Sequence, residues 1–155
     1  MDPTPEFLAE LESHEQTIIF PEFTSKTALE LGNALIAACP SGKGITVSII
    51  KNGHLMFYHS MDGCNPDNDH WIQRKNRTVN RFHMSSYRFG RELAAKGQKL
   101  KDRYCSEEEY CEHGGAFPLK VKGSGVIGTI TVSGLPQHDD HMLFVNTAKK
   151  YLNLA

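Results

Sequence analysis

The chain has little that would commit it to a charged or covalent partner. Seventeen Lys and Arg residues against eighteen Asp and Glu leave a formal net charge of -1 over 155 residues, so no global field favours nucleic acid or an anionic membrane. Only four cysteines occur, Cys39, Cys64, Cys105 and Cys111, with no C-x2-C pair and no C-x2-C…H-x3-H rhythm. Neither a structural zinc site nor a disulfide framework is expected, and the cysteines read as reduced thiols. No run of eighteen apolar residues occurs, and residues 1–9 lack the basic segment and apolar stretch of a secretion signal. The expected location is therefore cytoplasmic, with no membrane span. The absence of CxxCH, Gly-x-Ser-x-Gly and a P-loop sets aside covalent haem attachment, an α/β-hydrolase site and nucleotide hydrolysis.

What is present suits one domain. At 39% hydrophobic, a chain of this length buries roughly two thirds of its unfolded surface around a single core. Residues 1–19 read as an N-terminal helix or a loosely held extension, with Phe7, Leu8 and Leu11 at helical spacing. Thr24 and Ser25 open a helix over 26–38, striped by Leu29, Leu31, Leu35 and Ile36 and stopped by Pro40, Gly42 and Gly44. β-Branched alternation over 45–51, the Asn52-Gly53 turn pair and renewed alternation over 54–60 predict a hairpin. Residues 61–69, rich in Gly, Asn, Pro and Asp, read as a loop of rim or lid length. A long helix is expected over 69–96, because Ile72, Val79, Phe82, Phe89 and Leu93 recur on one face without proline. Ser106 and Glu109 have capping-box spacing for a turn or two ending at Gly114-Gly115. A second hairpin about Gly123-Ser124-Gly125 and a final helix after Pro136 complete an α/β (α+β) plan of one mostly antiparallel sheet with helices laid against it.

The last third carries a resemblance. The run from His113, Gly-Gly-Ala-Phe-Pro-Leu, and the glycines of residues 125–134 resemble the haem-degrading domain family, also called GlcG/HbpS-like. Residues 67–75, Asp-Asn-Asp-His-Trp-Ile-Gln-Arg-Lys, and 133–141, Ser-Gly-Leu-Pro-Gln-His-Asp-Asp-His, resemble its sparsely characterised cytoplasmic branch in bacteria and fungi. The resemblance places one GlcG/HbpS-like domain over 20–155. It implies a profilin-like fold with a five-stranded sheet and a higher homo-oligomer. It implies haem binding as a property of some members, with no axial ligand transferable to a residue of this chain.

Several residues are candidates for chemistry. Gly114 and Gly115 either admit a ligand or a second backbone, or merely cap a short helix. Arg74, Lys75 and Arg81 on the long helix form either a solvated face, an intersubunit charge partner for Glu107, Glu108 and Glu109, or an anion site with Trp71 beside it. His138 and His141, three residues apart, are weak metal candidates, although Asp139 and Asp140 between them equally fit the first turn of a helix. Three functions remain open. The first is a ligand-binding oligomer holding haem or another carboxylate-bearing molecule near His113, with Trp71 or Phe117 packed on its ring and Arg74, Lys75 and Arg81 on its acids. The second is an enzyme using His113 or His141 for proton transfer. The third is a scaffold that offers its C-terminal peptide, residues 151–155, to a protein partner.

Overall fold

The computed structural model describes residues 1–155. In chain order the elements are α1 (Pro5–Thr17), α2 (Ser25–Ala37), β1 (Thr46–Lys51), β2 (His54–Ser60), α3 (Pro66–Phe82), α4 (Ser86–Ala95), a 3-10 turn at Leu100–Arg103, β3 (Ala116–Val121), β4 (Gly125–Ser133) and α5 (Gln137–Tyr151). The strands form one antiparallel sheet in the order β2-β1-β4-β3. One face of the sheet contributes Val47, Ile49, Phe117, Leu119, Ile130 and Val132 to the main core, which α2 and α5 complete with Leu31, Leu35, Phe144 and Val145. Each such side chain, taken fully from water, contributes about 2 kcal/mol. α3 lies on the other face, chiefly over β4 and β3.

Four strands stand where the resemblance implied five. Phe20 makes a single parallel bridge to Val121, donating to the Lys120 carbonyl and accepting from the Lys122 amide, both at 2.9 Å. The chain bends at Pro21, whose φ is fixed, and turns away into α2, so no ladder grows.

Two further departures lie around α3. The turn-rich residues 61–69 are a loop only to residue 65. Asn65 accepts the Asp67 amide at 2.9 Å while Asn68 accepts the Asn65 amide at 3.0 Å, a capping box that starts α3 with Pro66 at its first position. The expected single helix over 69–96 is broken at His83, whose φ of 55° is left-handed. Ser85 caps α4 through the Arg88 amide, while its own amide donates to buried Glu15 of α1. A carboxylate seventy residues away thus fixes the break, and periodicity within α3 and α4 carries no trace of it. At residues 106–110, Ser106 accepts the Glu109 amide, but only turns form there.

In the second hairpin Gly123 and Gly125 serve the turn with positive φ, and Gly128 is explained by packing. A Cβ on Gly128 would lie 1.9 Å from the Ile50 carbonyl oxygen on β1, and the β3–β4 register slips between Leu119 and Lys120 beside it. Gly123, Gly125 and Gly128 have G-x-G-x-x-G spacing, yet they span a hairpin turn between antiparallel strands. No helix follows to receive a pyrophosphate, so the spacing is not a dinucleotide fingerprint.

The C-terminal residues are part of α5's ending rather than a free peptide. Asn153 adopts φ 56°, its amide donates to the Lys150 carbonyl at 3.2 Å, and the Leu154 amide donates to the Lys149 carbonyl at 2.8 Å. These are the two bonds of a Schellman cap. Tyr151 is further tied to Glu30 of α2 at 3.0 Å. No helix is long and apolar enough to cross a membrane.

Candidate functional site

The site begins with two charged residues on apolar stripes. On α3 the residues turned inward are Ile72, Lys75, Asn76, Thr78 and Val79, so Lys75 occupies a core position of that helix. On α5 the buried set is Asp140, His141, Phe144, Val145, Thr147 and Ala148, which places Asp140 likewise. Past the end of β4, which separates the two helices, Lys75 Nζ lies 3.2 Å from Asp140 Oδ2, with only 4% and 2% of the two side chains exposed. Lys75 also donates to the Val132 carbonyl at 3.1 Å, and Asp140 Oδ1 accepts the Leu135 amide at 2.9 Å. Asp140 therefore does carry the role expected of an acid in the first turn of this helix, since Pro136 at the N-cap supplies no side-chain acceptor. Burial pushes the Asp140 carboxyl up to about 6, against the pull of the Lys75 ammonium and of the Leu135 and Gly134 amides.

Gly115 makes the pair possible. With φ at +138°, it leaves open a space where a Cβ would stand 2.3 Å from the Val132 carbonyl oxygen and 2.6 Å from Lys75 Nζ. Gly115→Ala is expected to cost at least about 2 kcal/mol through backbone strain and the displaced ammonium, read as a lowered urea midpoint. A midpoint within error of wild type would show that Lys75 moves aside freely. Gly114 has a related but distinct reason. Its amide donates to Gln137 Oε1 at 3.1 Å, and a Cβ there would meet the Gln137 carbonyl oxygen at 2.5 Å and the Tyr87 ring at 2.9 Å.

Above the pair lies a cavity of about 370 Å³, walled by Trp71, His113, Gly114 and Gln137 on one side and by the start of α3, Asn65 to Asn68, on the other. The His113 ring sits 5.2 Å from the Trp71 ring, centroid to centroid, and the Arg74 guanidinium lies 4.6 Å from the Trp71 ring centroid. Burial, and then the Lys75 and Arg74 charges, hold the His113 imidazole below its usual range, so it is neutral at pH 7.

The fold thus brings Trp71, Lys75, His113 and Gly114 to one cavity, with Gly115 behind it. Other expected residues lie elsewhere. Arg81 reaches the Tyr104 carbonyl at 3.3 Å and Cys105, because it falls nearly two turns beyond Lys75 on α3. Arg74 donates to the Tyr110 carbonyl at 3.2 Å and Arg77 to the Glu109 carbonyl at 2.8 Å. These arginines contact the backbone of residues 104–110, so Arg81 does not join Lys75 at the cavity, while Arg77 and Arg81 stay exposed to solvent. Phe117 is 1% exposed in the main core, with its ring 4.6 Å from that of Phe144, so it cannot pack on a ligand in this cavity.

His141 is also outside the cavity. It is buried and its Nε2 lies 3.2 Å from Nδ1 of His14 on α1, while His138 lies 2.9 Å from the Tyr87 hydroxyl. The two histidines face separate partners, and no group of three His, Cys, Asp or Glu residues is placed to hold a metal ion. Burial drives the His141 pKa down to about 3, far from a proton-transfer value at neutral pH. Asp140 is the site residue that local sequence presents only as a helix cap. Its signal was its place at the head of the apolar i, i+4, i+8 row formed with Phe144 and Ala148.

An antiparallel sheet with helices on both faces defines an α+β domain, and a buried Lys–Asp pair lines its polar cavity. Residues 23–149 match the family described as haem-degrading protein HbpS-like, and the chain belongs to that family. A "UPF0303 protein" of Serratia proteamaculans is 42% identical over 150 residues, covering 96% of this chain and 93% of its own. The crystal structure of Ybr137w protein superposes with a TM-score of 0.86 at 32% identity, over 94% of this chain and 87% of that one. A PduOC chain solved as a haem complex superposes with a TM-score of 0.67 over 88% and 98%, but at 17% identity it speaks for the fold alone.

Proposed function

We propose that the protein binds a small carboxylate-bearing molecule in the cavity above Lys75 and Asp140. The observation that carries this reading is the valence of Lys75. An ammonium has three protons, the protein supplies two acceptors, and the remaining donor is buried at the floor of an open cavity. A ligand acid is the acceptor that suits it. Trp71 supplies a flat wall, and the neutral His113 imidazole and the Gln137 amide supply directional partners. The cavity size is at the small end of the range for metabolite pockets.

Haem, which the family description raises, fits this cavity poorly. A neutral histidine suits an axial ligand. However, the His113 ring already lies against Trp71, and most of the lining is amide, carboxylate, hydroxyl and backbone rather than the broad apolar walls a macrocycle needs. Haem uptake, in this reading, draws on surface from a second copy. Self-association is supported by an apolar strip that α3 leaves uncovered beside Ile50 on the sheet, where Leu55 and Tyr58 are 53% and 41% exposed.

Trp71 is the only tryptophan, so its emission reports this cavity directly. Succinate, citrate and benzoate are to be titrated against wild type, with succinamide as the uncharged control. A saturable change with at least one acid, absent with succinamide and in Lys75→Gln, is expected. Unchanged emission with every acid would overturn the reading. Haemin in the same titration gives a Soret shift sensitive to His113→Ala only if this cavity holds the ring, and light scattering gives the size of the assembly.

A further inference from the structure

The Lys75–Asp140 pair has a consequence for how the proposed ligand binds, and it rests on that reading of the cavity. In the free protein one carboxylate, Asp140, already neutralises the buried ammonium at 3.2 Å. A ligand carboxylate that takes the third Lys75 proton brings a second negative group to the same nitrogen. Two carboxylates sharing one buried cation cannot both stay ionised cheaply, because like charges a few ångströms apart in a desolvated site raise one another's pKa. We infer that the ligand is captured as an anion together with one proton from solvent, and that Asp140 is the group that receives the proton.

The surroundings of Asp140 favour that assignment. Its carboxylate is almost fully buried, whereas an incoming acid arrives with its far end toward solvent. The charged and titratable groups facing Asp140 are few. They are Lys75 and Asp67 from α3, His113 from the segment before β3, and Cys39 from the end of α2. Of these only Lys75 is in contact. When Asp140 becomes neutral, Oδ1 keeps the Leu135 amide, so the start of α5 is held whichever form is present. The Lys75 charge is then unopposed and available to the ligand. Because burial already lifts the free carboxyl to about 6, little further shift is needed for it to carry the proton at neutral pH in the complex.

The direction of the pH effect follows. Above about pH 6 free Asp140 is ionised, so binding must take up a proton and affinity falls as pH rises, by up to tenfold per pH unit. Below about pH 6 the proton is already in place and this dependence flattens. The measurement is calorimetric titration of wild type with whichever of succinate, citrate or benzoate moves Trp71 emission. It is run at pH 7.5 in phosphate and in Tris, whose ionisation heats differ widely. The difference in observed heat gives the proton uptake, expected near one per ligand. Asp140→Asn is expected to bind about equally at pH 6.5 and pH 8, whereas wild type weakens roughly tenfold or more. The His113→Gln variant is expected to keep the wild-type dependence in that window. Binding with no proton uptake would overturn this inference and leave the carboxylate reading standing. Binding of none of the acids at any pH would overturn both. If Asp140→Asn does not fold, the heats from wild type decide the matter alone.

Discussion

Lys75→Met is expected to lose about 3–5 kcal/mol of stability at pH 7, the usual cost of stranding one member of a buried ion pair. Asp140 would remain 1% exposed with its second oxygen unpaired, and its carboxyl would rise well above the value of about 6 that it holds beside the ammonium. The double variant Lys75→Met/Asp140→Asn is expected to recover more than half of the loss, because an amide can still accept the Leu135 N–H and carries no charge. Urea unfolding of the three proteins checks this, and a loss below about 1 kcal/mol in the single variant would remove the pair from any structural role. The pH dependence has a definite sign. Asp140 has a folded pKa above its unfolded value of 3.8, so its contribution is fully present below 3.8 and is lost as pH rises through 6. In Lys75→Met that loss extends to higher pH, and the variant is most nearly normal in mild acid.

The opposite behaviour is expected from the histidine pair. His141 is 1% exposed, and burial, with His14 and His138 nearby, depresses it from 6.5 to about 3. The unfolded chain therefore binds the proton that the folded chain refuses. The stability held by neutral His141 is complete above pH 6.5 and declines as pH falls toward 3, by roughly 1.4 kcal/mol for each pH unit. His14, itself shifted down by burial, adds to the same trend. Because this pair joins α1 to α5, acid is expected to loosen α1 first, seen as faster amide exchange at Leu11 and at Tyr87, whose ring meets Phe7 of α1 edge-on with centroids 5.8 Å apart. His141→Phe should shift the acid transition to lower pH at some cost in stability at pH 7. A transition unmoved by that change would place the acid sensitivity elsewhere.

Much of the architecture was legible from local pattern. Asn52-Gly53 and the alternation on either side specify the first hairpin, and Gly123-Ser124-Gly125 the second, because turn chemistry and strand period are properties of a few adjacent residues. The departures share a different cause. Asn65 and Pro66 have loop composition, yet the same atoms satisfy the first turn of α3. His83 interrupts a continuous helical pattern because Glu15, on another helix, supplies the Ser85 amide with an acceptor. The missing fifth strand depends on how far Phe20 can run beside Val121 before Pro21, which apolar pattern does not register. At the site, Trp71, Lys75, His113 and Gly114 can be named from the sequence, and one cavity is lined by all four. Their chemistry was hidden. A lysine on an apolar stripe looks like a basic helix face until its partner is known, and Asp140 becomes that partner only when α5 crosses β4.

The bridge at Phe20 also governs what the sheet can do at its borders. Along β3 the outward-facing groups fall at every second residue. Ala116 has its amide bound to Ser86 Oγ at 3.1 Å, Pro118 has no amide to offer, and the Lys120 carbonyl and Lys122 amide are occupied by Phe20. Most of that border is thus occupied, whereas β2 is the opposite edge strand of the sheet. A sheet with one border largely filled leaves β2 as the readier edge, which biases any strand pairing between copies toward a closed two-fold pair over an unbounded fibre.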